Sequence, residues 1–215
     1  MATPRVFLLS PASCAGRRAR QLLRDGASFP LALRVHDGGA PISEVFAHLS
    51  ALYFRGKVAY VTAFAAAPEG VAPAYVITSS RGLVESDAVI TAKDLHEFST
   101  VPIGSASGHY IDALTRTAQE LASSIGKRTH VILLGSIATG KYLDVLRQVF
   151  GARLRFPLAF IGRGDMSRGG LMLRCAESGE ELEYIPVEGQ VRRGPRPPRL
   201  VPRPARRSHA GSETP

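Results

Sequence analysis

The chain has 215 residues, 45% of them hydrophobic, two cysteines and a formal net charge of +9. That length suits one domain with a flexible end, and that hydrophobic content sustains a buried core. The chain argues against a membrane span, because its longest largely apolar run, Val58 to Ala67, is broken by Thr62 and is too short to cross a bilayer. It argues equally against a secretory leader, because Val6 to Leu9 is shorter than a signal core.

In chain order, a first strand is expected over about Arg5 to Ser10. A helix follows near Cys14 to Arg24, with Ser13 placed to cap it. Asp37 to Pro41 is a turn with two glycines. Pro41 opens a long helix in which Ile42, Val45, Phe46, Leu49, Leu52 and Tyr53 recur every three or four residues, with Gly56 as a possible break. The β-branched run Ala74 to Ser80 reads as a second strand. A short helix is expected around Ala92 to Phe98. A longer one runs from Ile111 to Ile125 and is stopped by Gly126. His130 to Ser136 carries four consecutive apolar residues and reads as the most buried strand. The stretch from Gly140 to Gly151 is the next helix, and Arg155 to Ile161 a further strand with Pro157 at its start or on an edge. The segment from Leu171 to Val187 reads as a hairpin about Glu177 to Glu180.

Strands separated by helices predict an α/β fold: a mainly parallel sheet with helices on both faces and a C-terminal antiparallel hairpin. Residues 1–191 form the expected single domain. Residues 192–215 form a basic Pro/Arg-rich tail whose composition predicts disorder. Seven of the 27 Lys and Arg and one of the 18 Asp and Glu lie in that tail, so it holds six of the nine excess positive charges. It acts as a solubilising terminus or as an electrostatic tether to nucleic acid or an acidic partner. Cys14 and Cys175 lack any paired spacing, which fits reduced thiols in a cytoplasmic protein, although a disulfide between them stays open.

Ligands of such sheets bind beyond the carboxyl ends of the strands. Four segments are expected at those exits, each rich in Ser, Gly, Arg or Lys: Ser10 to Gly16, Thr78 to Val84, Gly135 to Lys141 and Gly162 to Gly170. The third has the spacing of a phosphate-cradling loop, with Gly135, Ser136, Thr139, Gly140 and Lys141. Tyr142 stands where such a loop needs Ser or Thr for magnesium. The expectation is therefore anion contact at a helix start, without nucleotide hydrolysis. Tyr142 packs under the loop or stacks on a bound base. Cys14, expected near a helix start, is a candidate nucleophile. None of His36, His48, His96, His109 and His130 has a spacing that identifies it as the base such a cysteine needs. Ser10 and Ser13 bond to backbone or ligand. Ser79, Ser80 and Arg81 stand at the second exit, where the planar Arg81 fork suits phosphate or carboxylate. Asp165 is the candidate acid/base, flanked by Arg163 and Arg168, with pairing to Arg168 as the alternative. No metal-ligand motif is present and no cofactor is named by the residues.

The segments LLSPASCAGRRA, LYFRGKVAY, VITSSRGLV, VILLGSIATGKYLDVL and FIGRGDMSRGG, taken in that order, resemble a family of bacterial conserved hypothetical proteins. More distantly the chain is similar to the uracil-DNA-glycosylase-like domain of archaeosine synthase. The resemblance covers roughly Val6 to Arg168 and implies nucleobase or nucleic-acid modification chemistry. That domain's lysine-bearing Pro-Cys loop is not reproduced: Cys14 is followed by Arg17 and Arg18, which argues against lysine transfer.

The leading expectation is thus an α/β protein acting on a nucleotide, nucleobase or nucleic acid. Its alternative is a non-catalytic nucleic-acid or protein-interaction module that uses the basic tail. A third reading is a small-molecule hydrolase that uses Cys14 or a serine.

Overall fold

A computed structural model of the chain describes residues 3–103, 108–138, 140–189, 194–198 and 200, with the backbone alone for Lys141. Strands β1 (Arg5–Leu9), β3 (Ala74–Thr78), β6 (His130–Leu134) and β7 (Leu154–Pro157) run parallel. Two antiparallel strands, β4 (Gly82–Glu85) and β8 (Tyr184–Pro186), close the edges, and the sheet order is β4-β3-β1-β6-β7-β8. A small second ladder pairs β2 (Ala40–Pro41) with β5 (Val89–Ile90). The central strands are apolar without alternation, as strands covered on both faces must be. Val6 to Leu9 and Val131 to Leu134 are all essentially buried.

Helix α1 spans Arg17–Leu22, α2 Pro30–Asp37 and α3 Ile42–Phe64. Helix α4 spans Ala92–Thr100, α5 Gly108–Ser124, α6 Gly140–Phe150 and α7 Asp165–Ser178. Helix α3 packs along α7, while α5 packs on α6 and β4, so helices cover both faces of the sheet. Two features set the geometry of the α3–α7 layer. Ala51, inside α3, has φ 47° and ψ −122°, a conformation that L-residues avoid, and it kinks the helix one turn before its central segment. Below the kink α3 meets α7 backbone to backbone. A methyl on Gly56 would lie 2.5 Å from the Gly169 carbonyl oxygen, and one on Gly169 would lie 2.6 Å from that of Leu52. Only glycine permits that approach.

The expected α/β architecture is present, and several local expectations are corrected. The Thr78 to Val84 segment is the turn of a β3–β4 hairpin, not a strand-to-helix exit: Thr78 pairs with Gly82, whose φ of 68° makes the tight reversal. Helix α1 begins at Arg17, three residues after Cys14. Helix α2 was not foreseen, although Leu31, Ala32, Leu33 and Val35 make half of its eight residues apolar and Pro30 stands at its first turn. The antiparallel edge is formed by β8 against β7, and Leu171 to Ser178 belongs to α7 rather than to a hairpin strand. Strand β7 stops at Pro157, and Leu158–Phe160 is a 3₁₀ turn. Residues 194–198 and 200 lie against the α7 entrance, where Arg163 Nη1 donates to the Pro198 carbonyl at 3.3 Å. The expected disorder of the remaining tail lies outside the described residues.

Candidate functional site

The sheet order makes the site's position a matter of topology. From β1 the chain passes to β3 on one side, then returns to β6 on the other, so the strand order reverses at β1. Crevices at the carboxyl ends of strands on either side of such a reversal are the default ligand positions of open α/β sheets. Leu9 is in register with both Val76 and Leu134, so Ser10 leaves the sheet level with Gly135 and one residue below Thr78.

Behind Ser10 lies Lys57. Its side chain is wholly buried, and its ammonium donates to the Ser10 carbonyl at 2.8 Å and to Ser10 Oγ at 2.7 Å. Nζ also sits 4.0 Å above the Tyr53 ring and 5.0 Å from that of Phe54, where the ring faces attract a cation. Burial lowers the Lys57 pKa to about 7; Asp165 opposes the shift and Arg168 adds to it. No carboxylate among the described residues hydrogen-bonds to Lys57.

Tyr53, one turn earlier, is 6% exposed, and its hydroxyl has no hydrogen-bond partner among the described residues. Burial raises its pKa; Arg168 and Ser10 are polar groups that lower it, and Asp165 raises it. Tyr142 comes from α6. It is 4% exposed and donates to the Ser136 carbonyl at 2.8 Å, so of the two roles expected for it, packing under the loop is the one observed. A methyl at Gly135 would fall 2.8 Å from Tyr142 Oη and 2.9 Å from Ser10 Cβ, which requires glycine there. Ser136 Oγ accepts from the Ala138 N–H at 3.2 Å, an internal turn that leads into Gly140 and α6. The structure therefore joins Ser10, Gly135, Ser136, Gly140 and Tyr142 at one rim. Thr139 and the Lys141 side chain lie outside the described residues.

Arg168 is nearly buried and spends Nε and Nη2 on the Phe160 carbonyl, at 3.3 and 3.1 Å, while Nη1 reaches Asp165 at 3.4 Å. The pairing of Asp165 with Arg168 is thus formed, and Asp165 itself is the exposed first-turn residue of α7 rather than part of a glycine-rich loop. Arg163 donates to the Ala159 carbonyl and to Ser167 Oγ.

The second exit is engaged otherwise. Arg81 bonds to Asp94 and Glu97 of α4, and Ser80 Oγ donates to Glu97 at 2.5 Å. Ser79 Oγ donates to the Phe98 carbonyl at 2.6 Å. These contacts raise the Arg81 pKa, chiefly through Glu97. They tie the β3–β4 turn to α4, and the Arg81 fork is already filled by the chain's own carboxylates. Cys14 is also altered from its expected role: burial pushes its thiol up to about 12, and its Sγ faces the Ala12 carbonyl at 3.8 Å. A thiol so placed stays protonated at neutral pH.

Between the β1 exit and the β3–β4 turn lies a cavity of about 420 Å³, within the size range of small-ligand pockets. Pro11, Ser13 and Cys14 form one wall, Thr78 and Ser79 the floor, and Phe46 and Phe98 the apolar side. The two rings meet edge to face at 6.4 Å between centroids.

Lys57 and Tyr53 are two residues of this centre that sequence reasoning did not assign to the site: Tyr53 was read only as part of the apolar stripe of the long helix. Their signal was legible. Lys57 falls four residues after Tyr53 and three before Tyr60, so a cation sits on the apolar stripe of α3. No group of three His, Cys, Asp or Glu side chains among the described residues could hold a metal ion. No helix among them is long and apolar enough to cross a membrane. Comparison with family models, with curated proteins and with solved structures gave no match.

Proposed function

We propose that the chain binds a nucleotide or nucleobase-containing ligand at the carboxyl ends of β1, β3 and β6, and that its setting is nucleic-acid modification. The observation that carries the reading is the cavity beside the strand-order reversal. Its Phe46 and Phe98 rings suit a flat heteroaromatic ring, and its Ser and Thr hydroxyls and loop backbone suit polar ring edges. The start of α6 at Gly140 supplies helix N–H groups for a phosphate on the same rim. The resemblance to the uracil-DNA-glycosylase-like domain of archaeosine synthase supports the same ligand class. Arg81, saturated by Asp94 and Glu97, is not the anion clamp in this reading.

A thermal-shift series with free nucleobases, nucleoside monophosphates and short single-stranded DNA tests it, because a ligand that binds only the folded state raises its apparent stability. At a ligand concentration 100 times the dissociation constant the gain is about 2.7 kcal/mol. Ser99 is exposed at the cavity mouth. Ser99→Trp fills that mouth and is expected to remove the shift while leaving the unliganded melting temperature close to that of the wild type. Absence of any shift across the series, or a shift untouched by Ser99→Trp, counts against this site.

A further inference from the structure

We propose that Ser10 and Lys57 form a nucleophile–base pair, with Ser10 Oγ attacking the acyl carbon of a small ester and Lys57 Nζ receiving its proton. The inference goes beyond ligand binding and does not depend on a nucleobase being the ligand.

Three observations carry it. The first is contact: Nζ and Oγ are 2.7 Å apart, within the reach a general base needs. The second is placement. Ser10 lies at the end of the central strand, keeps 6% of its surface open, and leads directly into the Pro11 loop that walls the cavity. Lys57 approaches it from behind, with no exposure. The third is the buried phenol of Tyr53, whose hydroxyl has no hydrogen-bond partner among the described residues and whose ring lies 4.0 Å from Nζ. Buried hydroxyls without partners are rare and costly. Here the hydroxyl is free to donate to the oxyanion that forms beside Ser10. Construction around the pair is correspondingly rigid. The strained Ala51 precedes Tyr53 by two residues, and the Gly56–Gly169 crossing holds the α3 segment that carries Lys57.

The chemistry balances without a cofactor. Neutral Lys57 takes the Ser10 proton as the Oγ–C bond forms. The ester C–O bond then breaks, and the alcohol leaves with the proton from the Lys57 ammonium. Water attacks the acyl-serine and gives its proton to Lys57. The Oγ–acyl bond breaks, Ser10 regains the proton, and a carboxylic acid departs. A serine–lysine pair of this kind is a recognised variant of the nucleophile–base arrangement. The groups facing the pair are Arg168 and Asp165 from α7, Tyr53 from α3 itself, and Tyr142 from α6.

The full chain is treated with a fluorophosphonate probe and, separately, with p-nitrophenyl acetate, and the adduct is located by mass spectrometry. One adduct per chain at Ser10 is expected, forming faster as pH rises with an apparent midpoint near 7. Ser10→Ala is expected to remove the adduct. Lys57→Met is expected to slow labelling about 100-fold, the low end of what a general base contributes. Lys57→Arg keeps a cation that can donate to Ser10 but cannot accept its proton. If Lys57 merely tethers Ser10, the arginine variant restores labelling; if Lys57 is the base, it does not. Circular dichroism melts of each variant establish that the protein tested is folded. No adduct at Ser10, or labelling preserved in the arginine variant, overturns the proposal. Either result leaves the nucleobase reading to its own thermal-shift test.

Discussion

Between pH 7 and pH 9 the wild-type chain is expected to gain about 2 kcal/mol of stability relative to Lys57→Met, approaching about 1.4 kcal/mol per pH unit at the upper end. The sign follows from the direction of the Lys57 shift. Burial lowers its folded-state pKa to about 7, whereas the unfolded lysine titrates near 10.4. Between those values the unfolded chain binds one more proton, so raising the pH favours the folded state. Below pH 7 both states are protonated and the two proteins run parallel. Cys14 acts in the opposite sense. Its pKa, raised to about 12, makes stability fall as pH rises past the unfolded thiol value near 8.5. That contribution is common to both proteins and cancels in the difference. Urea denaturation midpoints of the two proteins across pH 6 to 9.5 measure the effect. Curves that stay parallel from pH 7 to 9 would show that Lys57 remains charged in the fold. Because the wild-type lysine also satisfies the Ser10 carbonyl and hydroxyl, the absolute offset between the curves carries less information than their divergence.

Gly169→Ala is expected to cost about 2–3 kcal/mol, near the upper part of the range for overpacked sites, and Gly56→Ala a similar amount. An added methyl meets backbone on both sides: the Gly169 carbonyl oxygen at 2.5 Å from Gly56, and the Leu52 carbonyl oxygen and Tyr53 Cα at 2.6 and 2.7 Å from Gly169. Neither obstacle is a flexible side-chain end, so the helices must separate. For a chain of this size the penalty lowers the melting temperature by roughly 5–10 °C. Gly38 at the end of α2 has a negative φ and open space around its Cα, so Gly38→Ala serves as the neutral control. The two crossing substitutions share one contact, so the double variant should cost less than their sum. A Gly169→Ala protein that melts with the wild type would mean that α3 and α7 are looser than a backbone-to-backbone crossing allows. The consequence for the site is direct, because separating these helices moves Tyr53 and Lys57 away from Arg168 and Asp165.

The rim at the strand exits was legible where a local pattern stated it. Ser10, Gly135, Ser136, Gly140 and Tyr142 were readable as rim residues because each follows an apolar run that could only be a buried strand, and such strands deliver their exits to one edge. Tyr142 was read as a residue that packs under its loop or stacks on a base, and the loop geometry chose the first. Arg81 was misjudged for a reason the local pattern does not contain: Asp94 and Glu97 lie more than a dozen positions away, on a different element. Cys14 was placed at a helix start, but α1 begins three residues later, which leaves the thiol in a partly buried loop ahead of the helix. Lys57 was visible in the sequence as a cation on an apolar stripe, but its partner, the end of β1, is 47 positions away.

By itself the sequence determined the alternation of strands and helices, the buried character of β1 and β6, and the loops that reach the rim. These follow from apolar run length and from a repeat of three to four residues, which neighbouring positions encode. Only the tertiary structure decided which loops meet, which charges are already neutralised and which polar group is buried without a carboxylate. Those depend on register and on the crossing of α3 with α7, where contacts between residues far apart in the chain set burial, and burial sets whether a lysine is a solvated charge or an amine enclosed against Ser10.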